Sequence, residues 1–205
     1  MTDSPTHRTQ AARSDATRAA LIAAARPLFA SRGYSDVRTE EIVRAASVTR
    51  GALYHHFSGK DGLFLAVFED VEQELLDLIT GRIADSGASS PLDALDFGIG
   101  VMLEAAVDPG IAQIVLIDAP SVLGWKTWRE VGWKYGMGLT EGVLAAAIGA
   151  GEVEAQPVRP LAHVLLGAID EAVLYVARAD NQEQARAEMT TVLGAMLSGL
   201  RARAA

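Results

Sequence analysis

The chain has 205 residues, half of them apolar, with no cysteine and a formal net charge of −8. That length holds one large or two small domains with a real core, and the apolar share excludes a disordered chain. The lack of cysteine excludes a disulfide framework and a thiolate metal site and suits a reducing cytoplasm. No N-terminal signal core and no apolar run of ~18 residues is evident, so no membrane span is expected. Charge is unevenly spread: residues 1–60 carry nine Lys/Arg against five Asp/Glu, residues 61–205 nine against twenty-one, and +4 with −12 gives −8. A positive head on a negative body presents its head to a polyanion.

Residues 1–14 are polar and aperiodic, include Pro5, Arg8 and Arg13, and are expected to form a mobile, solvated tail. A first helix is predicted over 14–32, with Leu21, Ala25, Leu28 and Phe29 inward, Pro27 imposing a kink, and Gly33 as C-cap. The next stretch, TEEIVRAASVTRGALYHHFSGK over 39–60, reads as two short helices joined at Ser47-Val48. Thr39 and Thr49 are the expected N-caps, with Glu40 and Glu41 in the first turn after Thr39. On the second helix Leu53 and Phe57 are four apart and share the inner face, which leaves Arg50, Tyr54 and His55 outward.

This is the sequence form of a helix-turn-helix, whose second helix lies in the major groove of duplex DNA. Arg50 suits guanine edges, and Tyr54 and His55 suit bases or phosphate. Gly51 allows close backbone approach, and Thr39, Thr49, His56 and Lys60 are placed for phosphate. His55 and His56 are neighbours, about 100° apart on a helix, and do not chelate one ion; no metal or other cofactor is expected.

Residues 17–71 resemble the N-terminal domain of the tetracycline-repressor (TetR) family. The resemblance rests on ATRAALIAAARPLFASRGY, the Arg32-Gly33-Tyr34 turn, Thr39 with Ile42, LYHHF, and Lys60 before Leu63 and Phe64. It implies an all-α homodimer that binds a palindromic operator, usually as a repressor released by a small molecule. The domain reading is a tail over 1–14, a three-helix DNA-binding domain over 15–60, and a helical ligand-binding and dimerisation domain over 61–205.

The second domain begins with a linking helix over 60–83, marked by Phe64, Val67, Phe68, Val71, Leu75, Leu78 and Ile79. A loop at 85–91 follows, then predicted helices over 92–107, 111–118, 122–150, 159–178 and 182–204. The last two carry apolar stripes that form half of a four-helix bundle. In the resembled family the corresponding pair makes the dimer interface.

Aromatic and polar groups concentrate in the body. Phe97, Met102, Asp118, Trp125, Trp128, Tyr135, His163, Asp170 and Tyr175 are the expected effector-binding set. Glycines at 124, 132, 136, 138 and 142 are costly in a helix and suggest close packing or a moving segment. The segment VLIDAPSVLGWKTWREV also looks like a C-terminal pattern of some TetR-like regulators, without naming a ligand. Two competing readings are a DNA-binding regulator without effector, and an enzyme using Asp118, His163, Asp170 and Glu171. The second lacks any HExxH, GxSxG or phosphate-binding glycine loop.

Overall fold

The computed structural model describes residues 5–202, with side chains from residue 10 onward. Among these residues all regular elements are helical, and the sole β feature is an isolated bridge between Val153 and Arg201.

Helix α1 (Pro5–Asp36) opens the head. The stretch 5–14, expected within the tail, is instead its first turns. Proline is tolerated at a helix start, and Ala11, Ala12 and Ala16 favour the helix beyond it. The tail expectation for 1–4 and the side chain of Arg8 lie outside the described residues, while Arg13 is helical, its carbonyl accepting from Thr17 Oγ1 at 2.9 Å. The non-helical backbone within α1 falls at Gly33 (φ 75°), not at Pro27. The left-handed angle favours glycine there, and an added Cβ would also stand 3.0 Å from Gln113 Nε2.

Helices α2 (Thr39–Ala45) and α3 (Arg50–His56) complete the head. Thr39 is the first helical residue, not the N-cap: Arg38 takes that place and its N–H donates to Glu41 Oε2 at 2.9 Å. Leu21, Ala25, Phe29, Ile42 and Leu53 are fully buried together. Burial of each large side chain contributes about 1.5–3 kcal/mol, which is what holds so small a unit.

Helix α4 (Gly59–Asp85) serves both halves. Its start sends Leu63 and Phe64 into the head, with Phe64 edge-on to Phe29 at 5.2 Å and to Tyr34 at 5.1 Å. Further on, Phe68, Val71 and Leu75 enter the body. The body continues through α5 (Pro91–Ala105) and the short α6 (Pro109–Ile111), capped by Ser90 and Asp108.

The segment 111–118, expected as one short α-helix, is mostly a π-helix over Ala112–Asp118, followed by α7 (Ala119–Val122). A π segment carries one extra residue per turn and re-aims side chains. Helix α8 (Gly124–Gly149) begins two residues later than predicted, because Gly124 is left-handed (φ 81°) and separates it from α7. The predicted spans of α9 (Val158–Arg178) and α10 (Gln182–Ser198) differ most at the end. Helix α10 stops at Ser198 because the following chain pairs with residues 152–153: Ala202 N–H donates to the Glu152 carbonyl at 2.7 Å, and Arg201 meets Asp93 at 2.7 Å.

One window of α9 reaches a mean hydropathy of 1.4, enough by length and composition to cross a bilayer, but Asp170 and Glu171 interrupt it and one of its faces is core. Its inner face (Ala162, Leu165, Ile169, Val173 and Val176) is core. Ala172 and Leu174 are buried as well, while Val164, 68% exposed, and Tyr175, 48%, lie uncovered.

Candidate nucleic-acid interface and effector cavity

The turn between α2 and α3 is made by Ser47 (φ 55°), and Val48 packs partly inward against the core. Thr49 caps α3, its side chain accepting from Ala52 N–H at 3.2 Å. Leu53 and Phe57 anchor α3 inward, which fixes Arg50, Gly51, Tyr54 and His55 toward solvent. Arg50 rests against Glu40 at 3.1 Å and against Tyr54, with a 3.4 Å hydrogen bond to its hydroxyl. Such an exposed pair is worth about 0–1 kcal/mol, so releasing Arg50 to another acceptor costs little.

An added Cβ on Gly51 would meet only Thr49 Oγ1, at 3.8 Å, so the protein's own packing does not demand glycine there. His56 is half-buried with its ring 5.1 Å from that of His55, and no group of three metal-ligating side chains occurs among the described residues. Lys60 lies with Nζ 3.9 Å from the centre of the Tyr34 ring, where burial lowers its pKa. Thr39 is half-buried at the start of α2.

Two contacts join this head to the body. Tyr34 N–H donates to Asp118 Oδ2 at 2.7 Å, across 84 residues of sequence. Gly33 abuts Gln113 on the same π segment. The other side of that segment faces a cavity, through Val115 and Leu116. Trp128, another lining residue, donates its indole N–H to the Val115 carbonyl at 2.8 Å.

The cavity has a volume of about 120 Å³ and lies between α4, α5, α8, α9 and the π segment. Its wall is mostly aliphatic, with Trp128, Tyr135, Thr140, Glu72, Arg129 and Asp170 as its aromatic and polar members. Arg129 pairs with Asp170 at 3.2 Å. Burial pushes the Asp170 carboxyl up to about 6 against the pull of Arg129. Burial, and the nearby Asp170 charge, push Glu72 up to about 7.

Of the nine expected effector groups, Met102, Trp128, Tyr135 and Asp170 line this cavity and five do not. Asp118 is buried but points at the Tyr34 N–H. Trp125 shares a helical face with Trp128, at 4.7 Å between rings, yet is 57% exposed. His163 stands edge-on against Trp133 at 4.6 Å. Phe97 is exposed beside Arg82, and Tyr175 lies on the uncovered face of α9. Asp118, His163 and Asp170 of the enzyme alternative are thus committed to different neighbours. Sequence reading missed Glu72, Arg129 and Thr140. The spacing of Phe68, Glu72, Leu75 and Ile79, in steps of four, three and four, puts Glu72 on an otherwise apolar stripe. Of the α8 glycines, Gly132 and Gly136 line the cavity, and a Cβ on Gly136 would meet Leu166 at 3.3 Å.

The Glu72 carboxyl has a stability consequence. Its folded pKa lies above its ordinary 4.5, so the folded chain holds the proton more tightly than the unfolded one. That contribution is fully present below pH 4.5 and is lost as pH rises through about 7. The shift corresponds to about 3 kcal/mol. Urea unfolding of Glu72→Gln is expected to show higher stability than the parent at pH 8 and to lose most of the decline between pH 5 and 8. An unchanged decline would refute the assignment.

Residues 92–200 match the family model described as the tetracyclin repressor-like C-terminal domain, and residues 21–67 match that of bacterial regulatory proteins of the tetR family. The chain is 36% identical over 118 residues to the transcriptional regulator CymR of Pseudomonas putida, covering 51% of this chain and 58% of that one, little more than half of its length. It is 26% identical over 147 residues to the TetC protein of transposon Tn10 from Escherichia coli, covering 72% and 73%. The crystal structure of a TetR-family regulator from Pectobacterium atrosepticum superposes with a TM-score of 0.81 at 31% identity, over 95% of this chain and 98% of that one.

Proposed function

The chain belongs to the TetR family of DNA-binding transcriptional regulators, and from that premise we propose that it is a homodimeric repressor of a palindromic operator, released by a small apolar or aromatic effector. It is a regulator and not an enzyme. The observation that carries the reading is the pairing of an outward Arg50–Tyr54–His55 face on α3 with a mostly apolar cavity, joined through one π-helical segment.

In this reading residues 15–60 are the DNA-binding head and 61–205 the regulatory body, and the protein works in the cytoplasm. Arg50 reads base edges, with Tyr54 and His55 beside it, while Thr39, Thr49, His56 and Lys60 hold phosphates and Gly51 admits the backbone. The dimer forms through the uncovered faces of α9 and α10, where Val164, Tyr175, Val192 and Met196 are exposed. The effector enters the cavity between α4, α5, α8 and α9. Its occupancy favours a body conformation in which the π segment, and with it the Tyr34–Asp118 contact, moves the two heads out of register. The ligand acts only through its differential affinity for the two states.

The test is a gel shift on DNA flanking the protein's own gene, with and without a panel of apolar aromatic compounds. A specific shift released by a compound is expected. A specific shift that no compound releases would remove the effector from the reading, and failure of genome-wide selection to find any site would remove the operator.

A further inference from the structure

Glu72 is 8% exposed, lines the cavity, and has no hydrogen bond or ion pair among the described residues. A buried carboxylate without partners is costly, and natural proteins keep such a group only where something else offsets it. The charged members of the lining are Glu72 on α4, Arg129 on α8 and Asp170 on α9; α5 and the π segment contribute no charged group. Arg129 is taken by Asp170, which leaves the Glu72 carboxylate as an unmatched negative charge. Trp128 and Tyr135 line the same space, and aromatic faces attract cations. The rest of the wall accepts only an apolar body.

From this geometry we infer that the effector is a lipophilic monocation, a protonated amine or quaternary ammonium on a one- or two-ring aromatic body, with Glu72 as its counter-ion. The inference rests on the cavity being the effector site. An anionic ligand would bring a second unmatched negative charge into the same cavity, and a neutral one would supply no counter-charge for an ionised Glu72. The cation neutralises Glu72 and holds it ionised, so binding strengthens as pH rises through the range in which Glu72 loses its proton. Asp170 titrates at lower pH and stays matched to Arg129.

The experiment is calorimetric titration of the full-length protein at pH 8 with three matched probes: 2-naphthylmethylammonium, 2-naphthylmethanol and 2-naphthoate. The ammonium is expected to bind at least ten-fold more tightly than the alcohol, and the carboxylate most weakly. In Glu72→Gln the ammonium is expected to lose at least ten-fold while the alcohol stays within about two-fold, which also reports that the cavity is intact. Equal or tighter binding of alcohol or carboxylate by the parent protein would overturn the charge assignment and leave the effector site standing. Binding of none of the three would overturn both.

Discussion

Arg50→Ala is expected to abolish specific operator binding while leaving the dimer and its melting temperature unchanged. Arg50 is exposed at the start of α3, and its side-chain contacts within the chain are one surface ion pair, one 3.4 Å hydrogen bond and the face of the Tyr54 ring at 5.6 Å. Folding therefore gains little from it, about 0–1 kcal/mol. A bidentate base contact contributes about 1–3 kcal/mol of discrimination. A two-fold dimer uses it twice, so the loss is about 2–6 kcal/mol, roughly 30-fold to ten-thousand-fold in affinity. Tyr54→Ala is expected to act in the same direction. Arg50→Lys separates two roles: a phosphate contact tolerates the exchange, whereas a guanine fork does not. Fluorescence anisotropy on the operator, at two salt concentrations, reads both affinity and salt slope. Specific binding retained in both Arg50→Ala and Tyr54→Ala would sink the contact assignment.

The double substitution Val164→Glu, Val192→Glu is expected to convert the protein to monomers and to cost operator affinity by more than 100-fold. Val164 and Tyr175 lie eleven residues apart on α9, about three turns, and so face the same way. Val192 and Met196 lie four apart on α10. All four are about half or more exposed in the protomer, so the glutamates cost the isolated fold little. Across a two-fold axis each substitution appears twice, and like charges brought together at an interface cost several kcal/mol. A monomer also loses the linkage that holds the second head beside its half-site. Sedimentation velocity gives the oligomeric state and circular dichroism the fold. A dimer that survives the double substitution would place the interface elsewhere.

The head was legible because its determinants are local. Four-residue spacing sent Leu53 and Phe57 inward and thereby Arg50, Tyr54 and His55 outward, without any knowledge of the partner helices. Thr49 was legible as a cap for the same reason, since its side chain bonds three residues ahead. Local reading misassigned Thr39 because the Glu41 carboxylate reaches back to accept from the Arg38 N–H, which starts the helix one residue earlier without any hydroxyl cap. It ended the first helix correctly at Gly33, where φ is 75°, but also expected a kink at Pro27, where the backbone stays helical.

The cavity was legible only in part. Trp125 and Trp128 were correctly placed on one face of α8, but which of them is buried depends on where Val115 offers its carbonyl. Glu72 carried a signal, a charge in an apolar stripe, that a reading focused on aromatic residues passed over. Asp118 has the composition of a ligand-binding carboxylate, yet it bonds a backbone amide 84 residues away. The sequence by itself therefore determined the all-helical class, the helix-turn-helix, its outward face and the charge asymmetry, because each follows from periodicity, capping and composition within a few turns. The tertiary structure alone decided which polar groups share a cavity, how the π segment joins that cavity to the head, and which apolar face of α9 and α10 stays uncovered. Those outcomes depend on contacts between residues far apart in the chain, and periodicity on one helix carries no information about the distance to another.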